Sequence, residues 1–158
     1  MTLSKSSIHQ QRKKTIKKSA DKIKKDFIKP DGAVLHYDGK IVEYANGSKE
    51  DRLAVVLSAP THVDKQFLGS PVILNGTGAE QAATLVRMID EWGIREYVTG
   101  QVCDTTASNM GYLKGAAAIL ERILGRPILW YGCRHHTGEL HIKHAYKACR
   151  GEVYTKCE

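Results

Sequence analysis

Apolar residues near the start of the chain recur at helical spacing: Ile16, Ala20, Ile23 and Phe27 share one stripe of a helix whose other faces are lysine-rich. The pattern predicts an amphipathic arm that lays this stripe on the rest of the protein and turns its lysines outward. Pro30-Asp31-Gly32 ends the helix, and the apolar period then changes. Three short runs read as strands, AVLHYDG (33–39), RLAVVLSA (52–59) and KQFLGSPVIL (65–74), separated by Gly, Asn and Pro. A helix follows over 79–93, with Ala82, Leu85, Val86, Ile89 and Trp92 on one face and Gly93 as its stop. EYVTGQVCD (96–104) is a fourth strand, Asn109 to Leu124 a helix stopped by Gly125, PILWYGC (127–133) a fifth strand, and His135 to Ala148 a last helix.

Three strands joined by short turns favour an antiparallel meander, and strands separated by helices favour right-handed parallel crossovers. The expected fold class is α/β: a mixed five-stranded sheet with helices on its faces, preceded by a basic helical arm. The chain divides into an arm, residues 1–30, and one domain, residues 31–158.

Charge sharpens this division. Residues 1–30 hold ten Lys or Arg against Asp21 and Asp26, a balance of +8, whereas the whole chain carries +7. A near-neutral domain therefore bears a basic arm. Arg12, Lys13, Lys14, Lys17, Lys18, Lys24 and Lys25 are candidates for contact with a DNA or RNA backbone, or for nuclear import; the plainer reading is a solvated helix face. No run of about 18 apolar residues and no apolar segment behind the first charges predicts a membrane span or secretory leader. A nuclear or cytoplasmic, non-secreted protein is expected. Cys103, Cys133, Cys149 and Cys157 are irregularly spaced, as reduced thiols would be.

Candidate chemistry centres on Asp38 and Asp104, each at the C-terminal end of an expected strand. If the first and fourth strands are parallel neighbours, a spacing near 4.8 Å would let both carboxylates share a divalent ion. Their repulsion should then raise at least one carboxyl pKa. Each also has a local reading: Asp38-Gly39 can begin a turn, and Asp104 can cap the backbone near Thr105 and Thr106. Asn109 is a good N-cap for the helix that follows. Gly111 and Gly115 are expected to permit close helix-to-sheet packing, since neither a P-loop nor a dinucleotide fingerprint is present. The cluster CRHHTGELHIKH does not have zinc-site spacing. Cys133 and His136 are expected to pack near the carboxylates and order the site, leaving Arg134 and His135 to solvent or a phosphate.

The runs VLHYDGK, NGTGAEQAA, DEWG, CDTTASNMG and LGRPILWYGCRHHTGELHI, in this order, resemble the hAT-like transposases and host proteins derived from them. The resemblance covers most of the chain after the arm and implies a ribonuclease H-like core. It makes Asp38 and Asp104 the first two catalytic acids and the ligands of Mg2+ or Mn2+, and Cys133 with His136 the Cys-x-x-His pair; Asn109 joins these as a site-ordering residue. Such transposases complete the site with a Glu beyond a large helical insertion, and the chain reaches Glu158 without one. Neither Glu139 nor Glu158 matches that Glu. The expectation is the N-terminal half of a catalytic domain: catalytically incomplete, with little or no strand cleavage, prone to self-association through exposed apolar surface, and binding nucleic acid non-specifically. The alternatives are an active metal-dependent nuclease completed by another carboxylate or chain, and an interaction module without nucleic-acid binding.

Overall fold

A computed structural model describes residues 4–60 and 63–151; Cys157 and Glu158 lie outside them. Helix α1 (Lys5–Lys25) is followed by β1 (Ala33–Glu43), β2 (Lys49–Ala59), β3 (Val63–Gly69) and the two-residue β4 (Val72–Ile73). Helix α2 (Gly78–Glu91), a 3-10 turn at Arg95–Tyr97 and β5 (Val98–Cys103) come next, then α3 (Ala107–Met110), α4 (Ala116–Leu124), β6 (Leu129–Gly132) and α5 (Arg134–Cys149). The strand order is β3-β2-β1-β5-β6, with β4 also pairing β2. Pairings among β1, β2, β3 and β4 are antiparallel, and β5 is parallel to both β1 and β6. This is the expected ribonuclease H-like arrangement, with a sixth strand added.

Alternation along the strands gives the sheet two unlike faces. Leu35 and Tyr37 of β1, with Leu53, Val55 and Leu57 of β2, point to one side and are buried. There Leu85, Met88 and Ile89 of α2 and Ala116 and Leu120 of α4 complete the core. Thr77 caps α2 by accepting from the Glu80 N–H, so the helix begins one residue earlier than its apolar pattern suggested. Burial of Gln101 is matched by bonding: its Oε1 accepts from the Tyr37 hydroxyl and its Nε2 donates to the Ala117 carbonyl, tying sheet to α4. Glu121 accepts from the Ile128 N–H and the Trp130 indole, which fixes β6 against the end of α4.

Several expectations change. The arm is helical, but α1 buries no residue, and Ile8, Ile16 and Ile23 are 48%, 64% and 50% exposed. The stripe therefore does not lie on the domain along its length; among the described residues, contact comes near its C-terminal end, where the Phe27 and Trp92 rings meet edge to face at 5.2 Å. The third expected strand is broken at Ser70-Pro71, because proline cannot donate to the ladder; its carbonyl instead accepts from Leu53. Asp38-Gly39 forms no turn, for both residues are paired within β1, and the hairpin closes at 44–48.

The helix expected from Asn109 to Leu124 is two helices separated by Gly111–Gly115. A Cβ on Gly115 would collide with backbone atoms of Gly111 and Asn109, so these glycines permit the sharp break rather than helix-to-sheet packing. The close approach belongs instead to Gly78, where a Cβ would meet backbone atoms of Ser108, Lys114 and Ala116. The outer elements expose apolar side chains, among them Leu129 and Tyr131 of β6 and Ile142 and Tyr146 of α5. Gly78→Ala should destabilise the fold by about 1–3 kcal/mol through overpacking against backbone that cannot yield. Urea denaturation of the variant beside Gly39→Ala, whose Cβ meets nothing within 4 Å, checks this; equal midpoint shifts would refute it.

Candidate functional site

The face opposite the core is the one that carries chemistry. On β1 the outward residues are Val34, His36 and Asp38, and on β2 they are Ala54, Val56 and Ser58, paired in that reverse order. In the parallel pairing of β1 with β5, His36 lies opposite Val102. Asp38 stands two residues beyond His36 on β1, and Asp104 two residues beyond Val102, just past the end of β5. Both line a hollow of about 350 Å3, together with His36, Val56, Cys133 and His136.

Asp104 is held in place, and the short sequence after it shows how. Its Oδ1 accepts from the Thr106 N–H at 3.1 Å, the Thr106 hydroxyl at 2.6 Å and the Asn109 Nδ2 at 2.5 Å. Thr106 is the N-cap residue of α3, yet its hydroxyl caps no helix N–H because it is turned back onto the carboxylate. The local capping role expected of Asp104 is thus real, but it occupies one oxygen. Asn109 does not cap a helix: it lies within α3, 3% exposed, with its amide against Asp104. Partial burial pushes the Asp104 carboxyl up, but the hydrogen bonds from Thr106 and Asn109 and the nearby His136 outweigh it and hold it below the usual aspartate value. Asp104 is therefore not the carboxyl raised by mutual repulsion.

Asp38 is exposed at the end of the hollow, its backbone paired with Ala54. His36 donates to or accepts from Ser58 Oγ through Nε2 at 2.7 Å; burial and Lys65 lower its pKa. Tyr37, buried in the core, also borders the hollow; burial first, and then Cys103 and Asp104, push its hydroxyl pKa up. Cys133 continues the sheet past β6, its N–H bonded to the Cys103 carbonyl at 2.7 Å, and serves as the N-cap residue of α5. Cys133 and His136 line the hollow together with His135, while Arg134 is exposed and does not. Among the described residues, no group of three or more His, Cys, Asp or Glu is arranged to hold a metal ion.

Thr106, expected only as part of the backbone that Asp104 caps, also holds the carboxylate through its hydroxyl. Glu139, set aside above as not matching the family Glu, is carried by α5 to the same hollow.

Away from this face, α1 presents its basic residues to solvent, with Ser4 as its N-cap accepting from Ser7 N–H. Lys24 is the exception: its Nζ lies 3.6 Å from Glu91 and 5.7 Å from the Trp92 ring centre. It is engaged with the domain where the other arm cations named above are not seen to be. No described helix is long and apolar enough to cross a membrane.

No family model and no curated protein matches the chain. Among solved structures it is similar to the catalytic domain of Mos1 mariner transposase, at 11% identity and a TM-score of 0.44 over 99% of this chain and 78% of that one. It is also similar to the Mos1 transposase catalytic domain with Raltegravir and Mg, at 13% identity and a TM-score of 0.40 over 99% and 79%. Likeness at this level adds nothing to the site, which stands on its own geometry.

The lowered Asp104 pKa has a consequence for stability. The unfolded chain takes up this proton first on acidification, so the contribution of Asp104 is complete above the unfolded value of 3.8 and is lost as pH falls through the lower folded value. Asp104→Asn should be less stable than the parent at neutral pH, with the gap closing in strong acid. Urea midpoints measured across that range check it; a gap independent of pH would contradict it.

Proposed function

We propose that this chain is a transposon-derived, ribonuclease H-like domain of the hAT-like group, nuclear, that binds nucleic acid without sequence preference through its arm. We further propose that it holds one divalent cation weakly between Asp38 and Asp104. The observation that carries the reading is that both aspartates line one open hollow together with Cys133 and His136. The donor set fits a hard cation. All three hydrogen bonds to Asp104 fall on Oδ1, leaving Oδ2 outside that network, and Mg2+ commonly binds through one or two carboxylates while keeping several waters. When bound, such a cation supplies positive charge to a phosphate and lowers the pKa of a coordinated water.

The chain's own residues then do limited work. Asp38 and Asp104 anchor the cation, Thr106 and Asn109 fix Asp104, and the exposed arm cations attract the phosphate backbone. Two-metal phosphoryl transfer needs carboxylates enough to hold two cations about 3.5–4 Å apart, and a pair of aspartates favours one. Strand cleavage by this chain alone is therefore expected to be undetectable. Glu139, at the same hollow, supports a second reading, an active metal-dependent nuclease with a third carboxylate. Mn2+-dependent cleavage of DNA that disappears in Glu139→Gln would establish it.

Two measurements test the first reading. Fluorescence binding to unrelated DNA and RNA duplexes should show similar affinities. Engaging about six phosphates would weaken binding about a thousandfold between roughly 50 and 200 mM salt. Deleting residues 1–29 should abolish binding, and a flat salt dependence would sink the arm's role. Separately, Mn2+ should raise the melting temperature of the parent by mass action and leave Asp38→Asn and Asp104→Asn unmoved; a parent indifferent to Mn2+ would remove the cation from the reading.

A further inference from the structure

Gln81, Thr84, Gln101 and Asn109 are buried polar side chains. Gln101 uses both ends of its amide to join sheet and helix. Asn109 does not. Its Nδ2 donates to Asp104, while its enclosed Oδ1 has no hydrogen-bond partner in the structure. An unpartnered buried oxygen lowers stability, and an apolar side chain of similar size would avoid that penalty. Nor can the amide relieve it by turning over, for Oδ1 would then face the acceptor-only carboxylate of Asp104. The side chain therefore suits its one partner better than it suits the interior.

What that partner gains is direction. Both Thr106 donors come from one exposed residue two places away, so by themselves they set the position of Oδ1 only relative to that turn. Asn109 approaches from a buried position five residues on, and adds a fixed point outside that turn. A hydrogen bond to a ligating group from a rigid neighbour orients it and sharpens its affinity for a cation. We infer that Asn109 is a positioning residue that locks the Asp104 carboxylate with Oδ1 turned inward and Oδ2 presented to the hollow shared with Asp38, where a divalent cation binds. The inference deepens the cation reading above and rests on it.

The test uses the full chain and two variants, Asn109→Leu and Asn109→Ala, with Mn2+ alone as the probe. Leucine fills the space without an unpartnered oxygen. Asn109→Leu should bind Mn2+ about tenfold or more weakly by electron paramagnetic resonance titration, whatever the loss of its bond to Asp104 does to the melting temperature. A crystal structure of that variant should show the Asp104 carboxylate turned from its parent orientation. A purely structural Asn109 predicts a lower melting temperature with Mn2+ affinity unchanged, and that result, in either variant, would overturn the inference. If Asn109→Leu does not fold, Asn109→Ala decides by the same affinity and orientation. Should the parent bind no Mn2+, the cation reading fails by itself; the Asp104 orientation in the variants still decides whether Asn109 positions it, and an unchanged orientation overturns that claim.

Discussion

The parallel pairing of β1 with β5 is the constraint on which the rest depends. Because side chains alternate along a strand, the register that sets His36 beside Val102 also fixes which residues meet beyond it. A shift of one position would send Asp38 or Asp104 to the core side, where Tyr37 and Cys103 now lie buried. The register is held by the core itself: Leu35 and Tyr37 must face α2 and α4, and Tyr37 must meet Gln101. Apolar packing on one face thus determines the placing of charge on the other.

The segment after β5 shows how a small number of residues serves both fold and site. Asp104 closes the strand, Thr106 starts α3, and Asn109 returns to Asp104, while the glycines that follow allow the chain to double back into α4. Gly78 lets the start of α2 press on this same turn. The loop is consequently supported from beneath by a helix of the core, which is what a fixed carboxylate requires. By contrast α5 buries no residue, so Cys133, His136 and Glu139 approach the hollow from a less supported element.

The arm poses a separate physical problem. A helix of 21 residues without buried side chains lacks the tertiary packing from which most helices in proteins gain their stability. Its Ser4 cap and the Phe27–Trp92 and Lys24–Glu91 contacts secure its two ends. Between them the cations are held outward at helical spacing.

Most of the strands and helices, their order, and the strands that lead up to Asp38 and Asp104 were legible in the sequence, because alternation, helical spacing and the Gly and Pro breaks are local properties. The basic arm was legible for the same reason, as charge is additive along a chain. What the sequence could not show was contact. Ile16 and Ile23 have the spacing of a packed stripe and stay half or more exposed; Asn109 has the chemistry of a cap and is drawn into α3 by Asp104; the pattern over 109–124 is continuous, but the close backbone approach that Gly111 and Gly115 permit divides it. Glu139 reaches the hollow only because β6 and the turn at Cys133 aim α5 there. Periodicity assigns a residue to a face; which face is covered, and by what, is settled by how distant segments compete for the same core.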